Sequence, residues 1–257
     1  MMHTMVSYGK FLAASTNQHG VHSPFVFRLV TKCLYQKNKL PPYLIWKNYR
    51  QSLQQNNKVI LVSDFGAGSK VFSSQQRKVS AIAKHAGMTG SKAKLLIKLV
   101  QYFQPTRVLE IGTSLGLGTF AIHLGNPNAM ITTIEGCEQT HAIAKANWQK
   151  SQSGAVDFVL GDFKNILPKL QQEKWDLIFF DGNHSKIATL SYMEVLLPSI
   201  TNETIWVFDD IHWSKDMEAA WEAIKNHPKV TVSLDLFCIG LVFFRTEQAK
   251  EHFVIRP

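Results

Sequence analysis

Short apolar runs alternate with longer, helix-like stretches from Arg107 to the C-terminal region of the chain. The runs are rich in Val, Ile, Leu and Phe and occupy residues 107–111, 130–134, 156–160, 175–180, 204–208, 230–237 and 240–244. Nearly continuous apolar runs are typical of parallel strands that are buried on both faces. The stretches between them space their apolar residues as amphipathic helices do. This alternation predicts a doubly wound, Rossmann-like α/β sheet of seven strands.

The last two runs are separated by too few residues for a crossover helix. Only Cys238 and Ile239 lie between the run that ends at Phe237 and the run that begins at Gly240. Two strands joined by so short a connection must pair antiparallel. The sequence therefore predicts a mostly parallel sheet that ends in one antiparallel hairpin.

The N-terminal part of the chain has a helical pattern instead. Three stretches have apolar residues at helical spacing, at residues 23–36, 75–87 and 91–103. Ser23 before Pro24 is a typical helix start, Ser91 is a plausible N-cap, and residues 51–58 are polar enough to form a loop. We predict a helical extension over 1–104 that acts as a lid on a catalytic domain over 105–257.

Charge distinguishes the same two regions. The net charge is +9, but residues 1–104 hold 15 Lys and Arg against a single acid, Asp64, whereas residues 105–257 hold 13 basic and 18 acidic residues. A basic segment favours an anionic partner, which here means a negatively charged small molecule, an acidic lipid headgroup or a nucleic acid. A solvated basic face without a partner explains the charge equally well.

Bulk properties narrow the class of protein. With 257 residues and 45% hydrophobic content, the chain can form a substantial core. No apolar stretch approaches the roughly 20 residues of a membrane span, and residues 1–20 lack the apolar core of a signal peptide. Three widely spaced cysteines argue for free thiols in a reducing compartment. We expect a cytoplasmic protein with no membrane span.

A glycine-rich turn follows the first of the seven runs. Gly112, Gly116 and Gly118 stand between that run and a helical stretch, in the sequence "LEIGTSLGLGTF". Glycine lets the backbone turn tightly and approach a ligand closely. The spacing G-x-x-x-G-x-G differs from the G-x-G-x-x-G of nicotinamide dinucleotide folds.

Acids mark the carboxyl ends of the first three runs. Glu110 precedes the glycine turn, Glu135 ends the second run and Asp162 follows the third. In open α/β folds these strand ends meet at the ligand crevice, where an acid can accept hydrogen bonds from ribose hydroxyls. Asp162 is well placed there to receive an adenine amino group. Each feature has an ordinary structural explanation alone, but their succession predicts a nucleoside-binding pocket.

These motifs give residues 107–244 a resemblance to the class I S-adenosylmethionine-dependent methyltransferases. "LEIGTSLGLGT" is similar to the glycine motif of that family, Glu135 to its ribose-binding acid and Asp162 to its adenine-contacting acid. The resemblance implies S-adenosyl-L-methionine as cofactor and the terminal antiparallel hairpin. The predicted cofactor-binding residues are Glu110, Gly112, Thr113, Ser114, Gly116, Glu135, Gly136, Asp162, Phe163 and Asp181.

A second cluster of functional groups follows the fourth and fifth runs. Asp181 and His184 stand in "FFDGNHSK", and Asp209, Asp210 and His212 in "WVFDDIHWS". Crowded carboxylates are costly unless a cation or a proton intervenes. We predict Asp181, His184 and His212 as catalytic residues. Asp181, Asp209 and Asp210 are candidate ligands of Mg²⁺.

This second cluster resembles the metal-dependent catechol and caffeoyl-CoA O-methyltransferases. Their first metal-binding Asp matches Asp181, and their catalytic Lys lies three positions later, where this chain has His184. Their second metal pair is Asp-Asn, which is Asp209-Asp210 here, so the third ligand is in doubt. A metal-free site with His184 as base uses the same residues, Lys186 is an alternative base, and helix capping is the structural alternative for the acids.

Two other stretches imitate nucleotide-binding motifs. Residues 59–69, "VILVSDFGAGS", look like a strand and glycine loop, but no acid occurs between Asp64 and Glu110 to bind a ribose. Residues 40–46, "LPPYLIW", are similar to the N-P-P-Y motif of amino-group methyltransferases that act on bases, but the Asn or Asp is missing and no strand precedes them. Neither stretch is expected to carry the chemistry.

The functional hypothesis is therefore an enzyme that methylates an oxygen of a small, anionic acceptor. An RNA methyltransferase is the alternative, since the basic extension suits a nucleic acid, although no RNA-binding module is evident. A nicotinamide oxidoreductase and a cofactor-binding protein without turnover are two further hypotheses. The acceptor and the oligomeric state, a homodimer included, are left open by the sequence.

Overall fold

The computed structural model describes residues 2–36, 41–63, 74–151 and 154–257. Within them the α-helices are α1 (Met2–Ala14), α2 (Pro24–Leu29), α3 (Pro41–Gln55), α4 (Val79–His85), α5 (Gly90–Phe103), α6 (Leu117–Gly125), α7 (Glu138–Ser151), α8 (Phe163–Leu170), α9 (Lys186–Leu196) and α10 (Lys215–Asn226). A π-helical turn, Val30–Leu34, continues α2.

The strands of the described residues include each of the seven predicted ones. They are β1 (Val59–Leu61), β2 (Gln76–Lys78), β3 (Arg107–Ile111), β4 (Met130–Glu135), β5 (Val156–Leu160), β6 (Leu177–Phe180), β7 (Ile205–Asp209), β8 (Val232–Asp235), β9 (Ile239–Phe243) and β10 (Glu251–Val254). The predicted runs differ from β3 to β9 by a few residues at most. Strand β10 was not predicted.

The chain forms two compact units. Unit 1 comprises Met1–Lys37 and Leu170–Pro257, and unit 2 comprises Asn38–Lys169. Residues 1–104 are therefore shared between both units. The role of these residues as a lid, with a boundary at residue 104, stays a prediction.

Unit 2 contains the first three strands of the parallel sheet. β3 pairs in parallel with β4, and β4 with β5, in a register that places Glu110 opposite Thr133 and Glu135 opposite Leu160. The strands are parallel because α6 and α7 each carry the chain back across the sheet. The carboxyl ends of these strands therefore lie at one edge, where the glycine turn begins. A separate antiparallel pair, β1 with β2, also belongs to this unit.

Unit 1 contains the antiparallel part of the sheet. β6 and β7 are parallel, β7 and β9 are antiparallel, and β8 and β9 form the predicted antiparallel hairpin. β10 adds a parallel edge strand beside β8. The core of this unit is strongly aromatic: Phe180 stacks on Phe208 with ring centroids 4.3 Å apart, and Trp206 is fully buried beside them. The mostly parallel sheet with flanking helices confirms the predicted fold class.

Several N-terminal details differ from the predictions. The polar residues 51–55 are the last turn of α3 and not a loop, since Leu53 anchors that turn in the core. Residues 76–78 form β2, so that only Val79–His85 of the expected helix over 75–87 is helical. The N-cap of α5 is Thr89, whose hydroxyl accepts the Lys92 N–H, and not Ser91. The expected cap at Ser23 is confirmed by its bond from the Val26 N–H.

Other expectations concern cysteines, membranes and masked stretches. All three cysteines are free thiols. None of the helices in the described part of the chain is long and apolar enough to cross a membrane. Residues 64–69 of the "VILVSDFGAGS" stretch lie outside the described residues, whereas its first three residues form β1.

Candidate active site

The glycine turn of unit 2 is held in an unusual backbone conformation. Gly112 has φ +105° and Gly116 has φ +79°, and Ser114 between them has φ +48°. A residue with a Cβ pays roughly 1–2 kcal/mol for the left-handed conformation, so the two glycines are needed for the turn and Ser114 is strained. The turn is closed by the Gly116 N–H, which donates to the Thr113 carbonyl at 2.8 Å.

Glu135 holds that strained turn from the neighbouring strand end. Its Oε2 accepts the Ser114 N–H at 2.7 Å, and its Oε1 accepts the Cys137 N–H at 2.9 Å. Burial raises the pKa of the Glu135 carboxyl, although these amide bonds act in the opposite direction. The predicted ribose-binding acid is therefore also a support of the glycine turn.

Glu110 lies beneath the turn and is fully buried. Its Oε2 accepts hydrogen bonds from the hydroxyls of Thr119 and Thr133, and Thr133 is in turn bonded to the Thr113 hydroxyl at 2.6 Å. None of the described residues forms a hydrogen bond with Glu110 Oε1. Burial raises the pKa of Glu110 to about 7 in spite of these bonds. The side chain supports the turn from below, and the predicted contact of Glu110 with a cofactor stays a prediction.

Asp162 stands at the end of β5 and caps the next helix. Its Oδ1 accepts the Lys164 N–H at 3.0 Å, and its carbonyl accepts the Asn165 N–H. Phe163 is buried directly after it, and Gly136 follows Glu135 at the end of β4. Capping explains Asp162 without a ligand. Its predicted contact with an adenine stays a prediction.

Two residues that the sequence analysis passed over also touch the glycine turn. Helix α3, which begins in the "LPPYLIW" stretch, brings Trp46 and Tyr49 to the turn. The Trp46 indole N–H donates to the Leu117 carbonyl at 2.9 Å, and the Tyr49 hydroxyl donates to the Leu115 carbonyl at 2.8 Å. A Trp and a Tyr three residues apart on one helix face were the available signal.

In unit 1, Asp181, His184 and Asp209 come together. They offer two carboxylate oxygens and one imidazole nitrogen that all lie within 4.8 Å of one another. Asp181 follows β6 directly, Asp209 ends the neighbouring β7, and His184 Nε2 is 3.8 Å from Asp181 Oδ1. Parallel pairing of β6 with β7 explains the convergence, because the two strands end at the same edge. This group, here called the acid–imidazole group, unites three of the predicted residues.

Asp210 has a different role in this structure. Its backbone is left-handed, with φ +55°, and its N–H donates to the Cys238 carbonyl at 2.9 Å. Its own carbonyl accepts the Trp213 N–H, so the residue forms a turn after β7. Asp and Asn tolerate this conformation better than other residues with a side chain. Asp210 is outside the acid–imidazole group, and its predicted metal contact remains a prediction.

His212 belongs to a separate cluster of unit 1. Its Nδ1 is 2.9 Å from Glu218 Oε1, its Nε2 is 2.7 Å from Asp235 Oδ2, and its ring stacks on Phe237. Burial alone lowers the pKa of His212, but the hydrogen bonds and charges of the two carboxylates raise it overall. Both ring nitrogens of His212 contact carboxylates, and its predicted catalytic role stays a prediction.

The segment that carries His184 is held by hydrogen bonds on both sides of the histidine. Asn183, at φ +50°, donates from Nδ2 to the Tyr192 hydroxyl at 3.1 Å, and Ser185 caps α9 by accepting the Ala188 N–H. The Lys186 N–H donates to Asp216 Oδ2 at 2.5 Å. His184 therefore stands on a short turn fixed at both ends, with its ring 5.8 Å from that of Trp213.

The sequence of this chain is similar to those of known methyltransferases. Residues 109–211 match a family described as a methyltransferase domain. A catechol O-methyltransferase of Mycobacterium tuberculosis is 27% identical over 126 residues, which cover 48% of this chain and 56% of that protein. The chain thus matches only about half the length of that curated relative.

Solved structures of similar proteins share the fold over most of the chain. A Podospora anserina methyltransferase solved with bound SAH, S-adenosylhomocysteine, has a TM-score of 0.62 at 16% identity and covers 88% of this chain and 97% of its own. A Bacillus cereus O-methyltransferase in complex with SAH has a TM-score of 0.54 at 18% identity, with coverages of 91% and 99%. At such identities the likeness establishes the Rossmann-like fold.

Proposed function

We propose that this chain, which carries a methyltransferase domain over residues 109–211, transfers the methyl group of S-adenosyl-L-methionine to an oxygen of a small molecule. The observation that carries the proposal is the acid–imidazole group of Asp181, His184 and Asp209 at two neighbouring strand ends. An acceptor hydroxyl must lose its proton to become a good nucleophile, and this group offers both a base and anionic oxygens for a cation.

The cofactor half of the proposal concerns unit 2. S-adenosylmethionine would supply a methyl group made electrophilic by the positive sulfur. The Glu135 carboxylate accepts two backbone N–H groups and a hydrogen bond from the Thr140 side chain, and its remaining acceptor capacity suits a ribose hydroxyl. The glycines of the turn leave room for close approach of the cofactor, and Asp162 and Phe163 follow the next strand end, where an adenine would bind. The support for these roles is the turn geometry together with the family match.

The acceptor half concerns unit 1. His184 Nε2 would take the proton of the acceptor hydroxyl, since a neutral imidazole accepts protons near neutral pH. The acceptor oxygen then forms a bond to the methyl carbon as the carbon–sulfur bond breaks, which leaves a neutral thioether and a protonated His184. The Asp181 carboxylate lies 3.8 Å from this imidazole nitrogen. Alignment of the reactants provides most of the remaining rate enhancement.

The acid–imidazole group also fits a divalent cation. Bonds of about 2.1 Å allow octahedral donor atoms about 3 to 4.2 Å apart, and the observed atoms need only a small adjustment from within 4.8 Å. We assign Asp181 and Asp209 as the metal ligands, because carboxylate oxygens suit Mg²⁺ whereas an imidazole does not. When bound, the cation would lower the pKa of an acceptor hydroxyl.

The proposal also includes an anionic acceptor and a cytoplasmic location. The excess of basic residues over 1–104 supports an acceptor with a phosphate or a carboxylate. The free cysteines support a cytoplasmic location, where thiols stay reduced. The comparisons give the RNA alternative no support, since the reported relatives are named as O-methyltransferases or methyltransferases.

A three-step experiment tests the proposal. Titration calorimetry measures binding of S-adenosylhomocysteine, which should be stronger than that of nicotinamide dinucleotides. A tritiated-methyl assay then screens phenols, catechols, carboxylic acids and RNA, with and without MgCl₂. With the best acceptor, His184→Gln should lower kcat by about 10²- to 10⁴-fold, as expected for loss of a general base, and leave the Kd of S-adenosylhomocysteine unchanged.

The matched control is His227→Gln. His227 is also in unit 1 and near a carboxylate, Glu194 at 3.7 Å, but it is outside the acid–imidazole group. It should retain full turnover. Asp209→Asn should weaken Mg²⁺ binding in a separate titration. Tight cofactor binding with no methylated product from any acceptor would favour the alternative of a binding protein, and equal turnover of His184→Gln and wild type would remove His184 from the mechanism.

A further inference from the structure

The contacts of helix α3 give the basic N-terminal region a role beyond that of a lid. We propose that Trp46 and Tyr49 are positioning residues that fix the shape of the glycine turn before the cofactor binds. The inference rests on the proposed function, since it concerns the turn assigned to S-adenosylmethionine. Helix α3, the turn and helix α6 all belong to unit 2.

Tyr49 sets the direction of one peptide of the turn. The Tyr49 hydroxyl binds the Leu115 carbonyl at 2.8 Å. A peptide unit is planar, so the direction of that carbonyl also sets the direction of the Gly116 N–H, which closes the turn on Thr113. Tyr49 thereby acts on the peptide that precedes Gly116, one of the two glycines with a left-handed backbone in the turn.

Trp46 acts one step further along the chain. Its indole N–H binds the Leu117 carbonyl at 2.9 Å, in the first peptide of α6. The N–H groups of the first helical turn have no partner within the helix, and they point at a bound ligand in many nucleotide sites. By fixing the first peptide of α6, Trp46 fixes the direction of these donors.

The two side chains are themselves held rigidly. Trp46 is 1% exposed and stacks on Tyr43 with centroids 5.8 Å apart, and the Tyr49 ring lies 4.6 Å from that of Phe120 on α6. Burial raises the pKa of Tyr49 above its ordinary value, and a nearby Glu110 acts in the same direction. Tyr49 therefore keeps its proton and remains a donor.

The turn needs such support because its backbone conformation costs free energy. Three of its residues are left-handed, and one of these is the non-glycine Ser114. Glu135 supports the turn from the sheet side and α3 supports it from the helix side, through separate peptides. A turn that is already formed loses less entropy when it binds a ligand, which raises affinity without any new contact.

The fit around Gly116 supports the same assignment. A Cβ built on Gly116 would lie 3.4 Å from the Tyr49 hydroxyl and 3.5 Å from the Ala144 Cβ, which is ordinary contact distance. Helix α3 therefore reaches the turn at the residue whose conformation requires glycine. Residues 40–46, which are similar to a base-methylation motif, include the start of the helix that supports the glycine turn.

The test compares Tyr49→Phe with Tyr102→Phe. The first deletes the hydroxyl that binds Leu115 and keeps the ring, and the second deletes the hydroxyl of an exposed tyrosine near the end of α5 in the same unit. The measurements are the Kd of S-adenosylhomocysteine by calorimetry, amide hydrogen exchange of residues 112–118 in the free protein, and the melting temperature. Trp46→Phe is the second variant of the brace.

Loss of the Tyr49 hydroxyl, which hydrogen-bonds to the Leu115 carbonyl and to the Asn147 side chain, predicts a Kd about threefold to tenfold higher for Tyr49→Phe. Exchange over 112–118 should become faster, while the melting temperature stays close to that of Tyr102→Phe. An unchanged Kd with unchanged exchange would overturn the inference. So would faster exchange across the whole of unit 2, because Tyr49 would then act on general stability.

The same measurements distinguish failure of the proposed function from failure of the inference about α3. If wild type itself does not bind S-adenosylhomocysteine, the proposed function fails, whereas the exchange measurement on the free protein still decides whether α3 braces the turn. If wild type binds and Tyr49→Phe binds equally well with an equally protected turn, only the inference about α3 fails.

Discussion

Replacement of Glu110 by glutamine should stabilise the protein in alkaline solution and have little effect in acid. Glu110 is buried beneath the glycine turn, where its Oε2 accepts two threonine hydroxyls and its Oε1 has no hydrogen bond from any described residue. A protonated carboxyl and a primary amide have nearly the same shape and no charge, and each can place a donor where Oε1 now lies, one O–H in the acid and two N–H in the amide. The variant therefore imitates the neutral form of Glu110 at every pH.

The magnitude follows from the pKa. Burial raises the pKa of Glu110 from 4.5 to about 7, which at 1.36 kcal/mol per pH unit corresponds to about 3.4 kcal/mol. The folded state binds a proton between these values that the unfolded state has released, so stability falls as pH rises through this window. About 2.5 kcal/mol of the loss should occur between pH 5 and pH 8.

The assay is urea-induced unfolding of wild type and Glu110→Gln at half-unit steps from pH 5 to pH 8. The difference between the two proteins isolates Glu110, because every other titrating group is common to both. We expect the free energy of unfolding of the variant to gain on that of wild type by about 2.5 kcal/mol over this range. A difference that stays constant within about 0.5 kcal/mol would show that Glu110 is ionised or solvated in the folded protein, and the reasoning from burial would be wrong.

Two further predictions concern backbone strain and a histidine. Gly116→Ala should lower the free energy of unfolding by about 1–2 kcal/mol in urea, because of its φ of +79°, whereas the control Gly9→Ala, in open space on α1, should be neutral or stabilising. His212→Gln should destabilise the protein more at pH 5.5 than at pH 8.5, because Asp235 and Glu218 raise the pKa of His212 above its ordinary value. The stability from the protonated imidazole is complete below the unfolded pKa of about 6.5 and is lost as pH rises through the raised folded pKa, so an equal loss at both pH values would contradict this assignment.

The strand–helix alternation was readable because both faces of a parallel sheet are buried. The run over residues 107–111 coincides with β3, which is buried at four of its five positions, because almost every position of a doubly covered strand favours an apolar, β-forming side chain. The edge strand β10 was missed, since "EHFV" has two polar residues followed by two apolar ones and shows no strand alternation over its four positions. So short a run is easily taken for loop.

The N-terminal helices were harder because packing, and not periodicity, determines them. Four of the residues 51–55 are polar, yet the segment completes α3 because Leu53 is buried and Trp46 anchors the helix on α6. The three residues of β2 interrupt a stretch whose spacing alone is helical, because they pair with β1. Local propensity is a weak prior where tertiary contacts are strong.

The sequence by itself determined the mostly parallel sheet, the antiparallel hairpin and the acids at the strand ends. It could do so because hydrophobic period and the length of the connections between strands can be read directly along the chain, and connection length limits which strands can pair antiparallel. Only the tertiary structure decided what each acid touches: Glu135 holds Ser114, Asp209 meets Asp181 and His184, and His212 turns to Asp235. Those choices depend on register and side-chain direction between segments far apart in the chain, which no local pattern records.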